Sequence, residues 1–390
     1  MSAFLSSLRR EAWRLRQSPW DLAMVSWVPL LAVALIAWIF SAGLPRHLPI
    51  GVLDEDHSAL SRQLVRMLQA TPGLSVDERP LNQAEAERAL RAARVYAVVH
   101  IPRDFAREVK QGRVGEVTLL HNAQFATHSG LIQRDVRTAV GTLSAGVEMA
   151  ARNKRGESAR SVRVSMTPVP TRLVGLFNVA GNYEPFLAAA LVPALLHILA
   201  MTAGAWALGR ELRDGSIGDW LGGASRAQAA AALAGKLVLP WASLTLVGWL
   251  GLAWLSGGRG WHPPGSMAWV ALGLAALMAL SVAGGAALAG LTRSLRTALS
   301  ACGFFSAPAF AFSGVGFPLA AMSPGARAWA EAMPYTHHVR LQMDQWLLGA
   351  PIAQSVPTAL ALWGAALVLL AVAVFTAHRA AGQPACWGGR

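Results

Sequence analysis

Apolar and polar positions are segregated along this chain into blocks. Charge-free apolar stretches run from Leu22 to Leu44 and over residues 185–209, 237–256, 267–291, 298–315 and 355–377. A helix needs about 20 apolar residues to cross roughly 30 Å of bilayer hydrocarbon. The pattern therefore predicts six transmembrane helices. The fifth block is the weakest of them, because Pro308 and the run SGVGFP (313–318) interrupt its helical pattern before it has fully crossed.

Between the first and second blocks the pattern changes to that of a water-soluble domain, residues 45–180. PIGVLDEDHS reads as a strand running into a turn. SALSRQLVRMLQA carries Leu60, Leu64 and Met67 or Leu68 at helical spacing, and AEAERALRAARV repeats that period. VYAVVHIP is a strand ending at Pro102, RDFAREVKQG a short helix, GEVTLLHN another strand, and residues 126–153 one long helix. The fold class that follows is a membrane all-α bundle of six helices, with an α+β domain inserted between helices 1 and 2.

At the N-terminus, SAFLSSLRREAWRLRQ places Phe4, Leu5, Leu8, Ala12 and Leu15 on one side and arginines largely opposite. This predicts an amphipathic helix over residues 1–20 lying on anionic lipid. The block at 21–44 is longer than the h-region of a signal peptide (about 7–15 residues) and no A-x-A site follows, so it reads as an uncleaved first span.

Composition agrees with the pattern: 54% of residues are hydrophobic and only 14% charged, with a net charge of +13. No basic-aromatic recognition motif accompanies that charge, so nucleic acid is not the expected partner. The positive charges instead orient the spans. Arg9, Arg10, Arg14 and Arg16 precede the first; Arg210, Arg213, Arg226 and Lys236 follow the second; Arg293 and Arg296 follow the fourth; Arg379 and Arg390 lie in the tail, 378–390. The short loop at 257–266 on the other side holds only Arg259. Both termini are then cytoplasmic and the 45–180 domain periplasmic, in a bacterial inner membrane. The two cysteines, Cys302 and Cys386, have neither disulfide-framework nor zinc-ligand spacing.

Candidate chemistry is sparse. No G-x-x-x-x-G-K-[ST] occurs; AGKLV around Lys236 lacks the first glycine and the Ser/Thr that would hold magnesium. The chain is expected to bind no ATP, to hold no cofactor, metal or catalytic residue, and to draw energy from a partner or an ion gradient. Glu184 lies at the mouth of the second span and reads as an interfacial charge, and His197 mid-span reads as a packing histidine. His337 and His338 lack a spaced third ligand.

The loop RELRDGSIGDWLGGASRAQAAAALAGK, residues 210–236, is long and charged for a connection between spans. Its Glu211, Arg213, Asp214, Gly215, Ser216, Asp219, Leu221, Gly235 and Lys236 resemble the coupling loop of type-2 ABC export permeases, the ABC-2 family, in its multidrug-export-like subgroup with a large periplasmic domain. The family usually has glutamate at Asp219 and proline near Gly223 or Ala224. The likeness continues through LDEDHSALSRQLV and VVHIPRDFAREVKQG, through Phe177, Asn178 and Phe186, through Gly314, Phe317, Pro318, Met322 and Pro324, and through Pro334, Tyr335 and Thr336. The resemblance implies a permease acting as a dimer with a second copy or a homologue, driven by a separate ABC ATPase subunit that carries ATP and magnesium. It further implies a periplasmic adaptor as partner.

On that reading, loop 210–236 receives the ATPase, and Arg9, Arg10, Trp13 and Arg14 of the N-terminal helix lie beside it on membrane lipid. The Gly/Pro-rich external segment, broken or re-entrant over 313–345 within the 181–377 helical region, carries a gate of Phe312, Gly314, Phe317, Pro318, Met322 and Pro324. The expected cargo is amphipathic and drug-like, with lipid or polysaccharide as the alternative. A proton-coupled transporter would require carboxylates inside the spans, and a membrane-anchored sensor or assembly protein would not need the charged loop.

Overall fold

The computed structural model describes residues 2–124, 126–154, 178 and 181–388. Two compact units make up the chain: Met1–Gly43 together with Gly175–Arg390, and Leu44–Val174.

The first unit begins with α1 (Ala3–Gln17), α2 (Pro19–Val25) and α3 (Trp27–Ile39). The expected first crossing is thus two helices bent by 41°. Pro29 is the cause: it has no N–H to give the Val25 carbonyl one turn back. Ser243 Oγ donates to that carbonyl instead.

The Leu44–Val174 unit carries, in chain order, β1 (Leu48–Asp54), α4 (Ala59–Gln69), β2 (Leu74–Glu78), α5 (Gln83–Arg91), β3 (Ala97–Ile101), α6 (Phe105–Lys110), β4 (Thr118–His121) and α7 (Ala126–Lys154). The strands lie in the order β2-β1-β3-β4, with β1 parallel to both neighbours and β4 antiparallel to β3. Leu64 and Leu68 of α4 and Ile132 and Val136 of α7 pack on one face of the sheet. Ala86 and Ala89 of α5 pack with Leu53 and Val98 on the other. Sequence reading missed β2, whose pattern is only half-buried, and with it the parallel, two-faced character of the sheet.

The chain re-enters the first unit through a π-helical turn, Glu184–Ala188, leading into α8 (Ala189–Arg213). Then follow α9 (Ile217–Leu221), α10 (Arg226–Ala253), α11 (Met267–Thr292), α12 (Leu295–Ser306), α13 (Ala309–Phe312), α14 (Pro324–Ala332), α15 (Pro334–Met343) and α16 (Ile352–Ala381). Helix α11 is apolar on every side and is buried among α8, α10, α15 and α16. Among the described residues four segments are long and apolar enough to cross a membrane: Glu184–Arg213, Arg226–Gly258, Met267–Thr292 and Ile352–Ala381; the bent α2–α3 pair makes up to five. The expected crossing at 298–315 is instead α12 and α13, of 12 and 4 residues, separated at Pro308. Neither is long enough to span by itself.

Candidate functional site

The charged loop forms for local reasons. Helix α8 ends in a Schellman turn: Gly215, with φ 68°, donates its N–H to Leu212 O (3.3 Å), and Ser216 N–H reaches Glu211 O (3.0 Å). The short α9 follows. Ser225 then opens α10 with a capping box, its hydroxyl accepting from Gln228 N–H while the Gln228 side chain accepts from Ser225 N–H. The C-terminal tail lies against this loop. Gly388 N–H donates to Leu212 O (2.9 Å), and a side chain at Gly218 would overlap the Trp387 ring.

Beneath the loop lies a buried ionic network. Glu211 is fully buried at the end of α8. Lys236 of α10, also fully buried, donates to Glu211 Oε1 (2.7 Å) and to Glu11 Oε2 of α1 (2.6 Å). Arg10 and Arg14 of α1 fork onto both Glu211 oxygens, with Nη2–Oε2 separations of 3.1 Å each. Arg14 also reaches Ser216 Oγ (3.2 Å), and that hydroxyl donates to Glu211. Arg210 completes the set, bonded to Glu11 Oε1 (3.0 Å) and to Asp21. Three carboxylates thus share four cations. The Trp220 ring lies 5.1 Å from Lys236 Nζ and its N–H bonds Ser7 Oγ (2.8 Å).

A buried carboxylate is tolerated only with such pairing. Removing one partner of a buried ion pair typically costs about 3–5 kcal/mol, because the remaining charge is stranded. The network therefore makes α1, the end of α8, the loop and the start of α10 one mechanical body. Gly235 allows it: a Cβ there would overlap the Phe4 carbonyl oxygen, so α1 rests directly on the α10 backbone.

The loop residues singled out in the sequence separate by direction. Glu211 and Leu221 are buried and Ser216 half-buried, whereas Arg213, Asp214 and Asp219 are exposed. Arg213 bonds Asp214 (2.8 Å) and stacks 5.4 Å from the Trp206 ring. On α1, Trp13 is exposed, but Arg10 and Arg14 turn inward to Glu211 instead of lying free for lipid headgroups. Arg9 is exposed and partnered. A cleft of about 410 Å³ opens between α1, α9 and α10, lined by Ser6, Arg10, Asp219, Trp220 and Gln228. Sequence reading missed Glu11 and Asp21. The available signal was that each is the lone carboxylate in its segment, which favours a paired, buried role over a solvated one.

The Gly/Pro-rich segment leads from α13 to α14. Gly314 has φ 90°, Phe317 and Pro318 are exposed, Phe312 and Met322 half-buried, and Pro324 is the first residue of α14. The following helix fastens this segment to the start of α8. Pro193 inside α8 cannot donate to the Ala189 carbonyl. Gln342 Nε2 donates to that oxygen (2.6 Å), Tyr335 OH to Ala190 O (2.7 Å) and Trp346 Nε1 to Pro185 O (2.8 Å). Glu184 is buried and bonded to Arg259 (2.7 Å), which also reaches Ser41 O; the glutamate raises the Arg259 pKa. His197 bonds Ser281 Oγ (2.6 Å), and His338 bonds Gln342 Oε1 (3.1 Å). His337, half-buried, bonds the Glu331 carbonyl (2.7 Å). Phe177 lies outside the described residues.

Among the described residues no group of three His, Cys, Asp or Glu is placed to hold a metal ion. The family model described as ABC-2 family transporter protein matches residues 19–375. No curated protein and no solved structure matches the chain.

Proposed function

The chain belongs to the ABC-2 family of transporter proteins, whose membrane component relies on a separate ATPase subunit, and we propose that it is the permease half of an exporter in a bacterial inner membrane. The observation that carries this reading is the buried Glu211–Lys236–Glu11 network under an exposed charged loop. In the proposed mechanism the ATPase subunit docks on Arg213, Asp214 and Asp219 and on the cleft beside α1. Closure of the ATPase pushes α9. The ionic network passes that push, without slack, to α1, α8 and α10 together.

The same end of the bundle is cytoplasmic, with both termini, and the 45–180 domain is periplasmic. Six crossings are counted if α2–α3 forms the first and the broken pair α12–α13 the fifth. A second copy or a homologue completes the path, and the segment of Phe312, Gly314, Phe317, Pro318, Met322 and Pro324 gates its outer end. The cargo is amphipathic and drug-like; a cavity of about 320 Å³ walled by Leu15, Trp20, Met24, Leu199 and Trp206 supports an apolar portion. A periplasmic adaptor would dock on the outer domain.

Asp219 provides the test because it is exposed and pairs with nothing among the described residues. Asp219→Lys is expected to leave thermal stability within about 0.5 kcal/mol, while co-purification with the ATPase and ATP-dependent transport in liposomes fall sharply. Unchanged co-purification and transport would remove the loop from the coupling path.

A further inference from the structure

The Leu44–Val174 unit contains a cleft of about 700 Å³ that the transport mechanism does not use. It lies at the carboxyl end of the parallel strands. His57 follows β1, Arg79 and Leu81 follow β2, and Arg103 follows β3, while Arg62 and Arg66 project from α4. The topology makes this end special. From β1 the chain passes to β2 on one side, then crosses to β3 on the other, with α4 and α5 on opposite faces. In open α/β sheets the connections diverge at such a point, and the crevice outside the strand ends is where ligands bind.

The charges in the cleft are unbalanced. Among the described residues no carboxylate lies within ion-pair distance of Arg62, Arg66, Arg79 or Arg103, although most other arginines of this unit have such a partner. Arg62 bonds the His57 carbonyl (2.6 Å) and, among the described residues, no carboxylate. The two carboxylates at the rim are already engaged. Asp54 accepts from the N–H groups of Asp56 (3.1 Å) and His57 (3.0 Å) and from Ser61 Oγ (2.8 Å). Glu55 faces His100 at 3.5 Å. Four guanidinium groups without a carboxylate partner among the described residues, gathered around one concavity, create a local positive potential that favours an anionic ligand. Arginine's planar fork matches phosphate oxygens in pairs.

We propose that this cleft binds a ligand carrying a phosphate or diphosphate group, with Arg66, Arg79 and Arg103 as its principal contacts. Val65, Pro80 and the exposed Leu81 form the apolar part of the wall and accommodate a non-ionic portion of the same ligand. The group could be carried by a lipid headgroup or by a soluble molecule. The assignment does not depend on the permease reading.

Titration calorimetry on the full-length protein in phosphatidylcholine nanodiscs tests it, with pyrophosphate and short-chain phosphatidic acid as parallel probes. The variant Arg66→Gln/Arg79→Gln/Arg103→Gln is compared with a control of equal charge change, Arg88→Gln/Arg91→Gln/Arg137→Gln. At least one probe should bind saturably to the wild type and the control, and about tenfold or more weakly to the cleft variant, with affinity falling as salt rises. Binding of phosphatidic acid alone identifies the headgroup source, and of pyrophosphate alone the soluble source. Failure of both probes to bind, or equal losses in the two variants, overturns the assignment.

Discussion

Lys236 shows how one side chain can decide the behaviour of a large membrane protein. Its ammonium is buried in contact with two carboxylates from different helices. Lys236→Met keeps the length of the side chain but leaves Glu11 and Glu211 facing each other across an emptied site. Thermal unfolding of the purified protein should show a loss of about 3–5 kcal/mol. Lys236→Arg should lose less, because the charge survives while the packing against Trp220 changes. Gln342 is a second such residue. Pro193 frees the Ala189 carbonyl in the protein interior, and the buried Gln342 answers it. Gln342→Leu should cost about 1–3 kcal/mol in the same assay, and Gln342→Asn should not restore it, since the shorter amide falls short of the oxygen. The Val25 carbonyl freed by Pro29 and answered by Ser243 follows the same rule.

Helix ends and helix contacts act at the next scale. The capping box at Ser225 fixes where α10 begins, and hence where Lys236 lies two to three turns later. Ser225→Ala should destabilise by about 1 kcal/mol and weaken ATPase-coupled transport more than that loss alone would explain, because the whole network shifts with the helix start. Helix α1 depends on a bare backbone at Gly235. Gly235→Val would push α1 off α10, separating Arg10 and Arg14 from Glu211. Limited proteolysis should then cut within α1, where the wild type resists. A wild-type cleavage pattern in that variant would mean that α1 is held by something other than the network.

For the molecule as a whole, the two compact units pose a direct test of independence. The first unit closes on itself where the second leaves it: Tyr183 N–H donates to Gly43 O at 2.8 Å, and Arg259 joins Glu184 to Ser41. Ends this close need no long spacer. A chain in which residues 45–180 are replaced by a short Gly/Ser linker should therefore insert into the membrane, unfold near the wild-type temperature and still co-purify with the ATPase. Aggregation of that chain would show that the helical unit needs the inserted one to fold.

Much of this was written in the pattern of the chain. The apolar blocks required long helices because hydrocarbon tolerates no unpaired backbone, the break at Pro308 followed from a missing N–H, and the loop at 210–236 stood out by its length and charge. The family followed from motifs in order along the chain. Tertiary structure alone decided which charges meet. Nothing local distinguishes Arg10 and Arg14, which close on Glu211, from arginines that would lie on lipid, and standing as the lone carboxylate in its segment hints at pairing for Glu11 and Asp21 without naming the partner. Their partners are about two hundred residues away, brought together only when α1 lies down on α10. The same holds for the arginine cleft, whose members follow three different strands and converge only because the sheet is wound to both sides of β1. Periodicity fixes elements because it reports on nearest neighbours, whereas electrostatic partnership is a property of the folded arrangement in space.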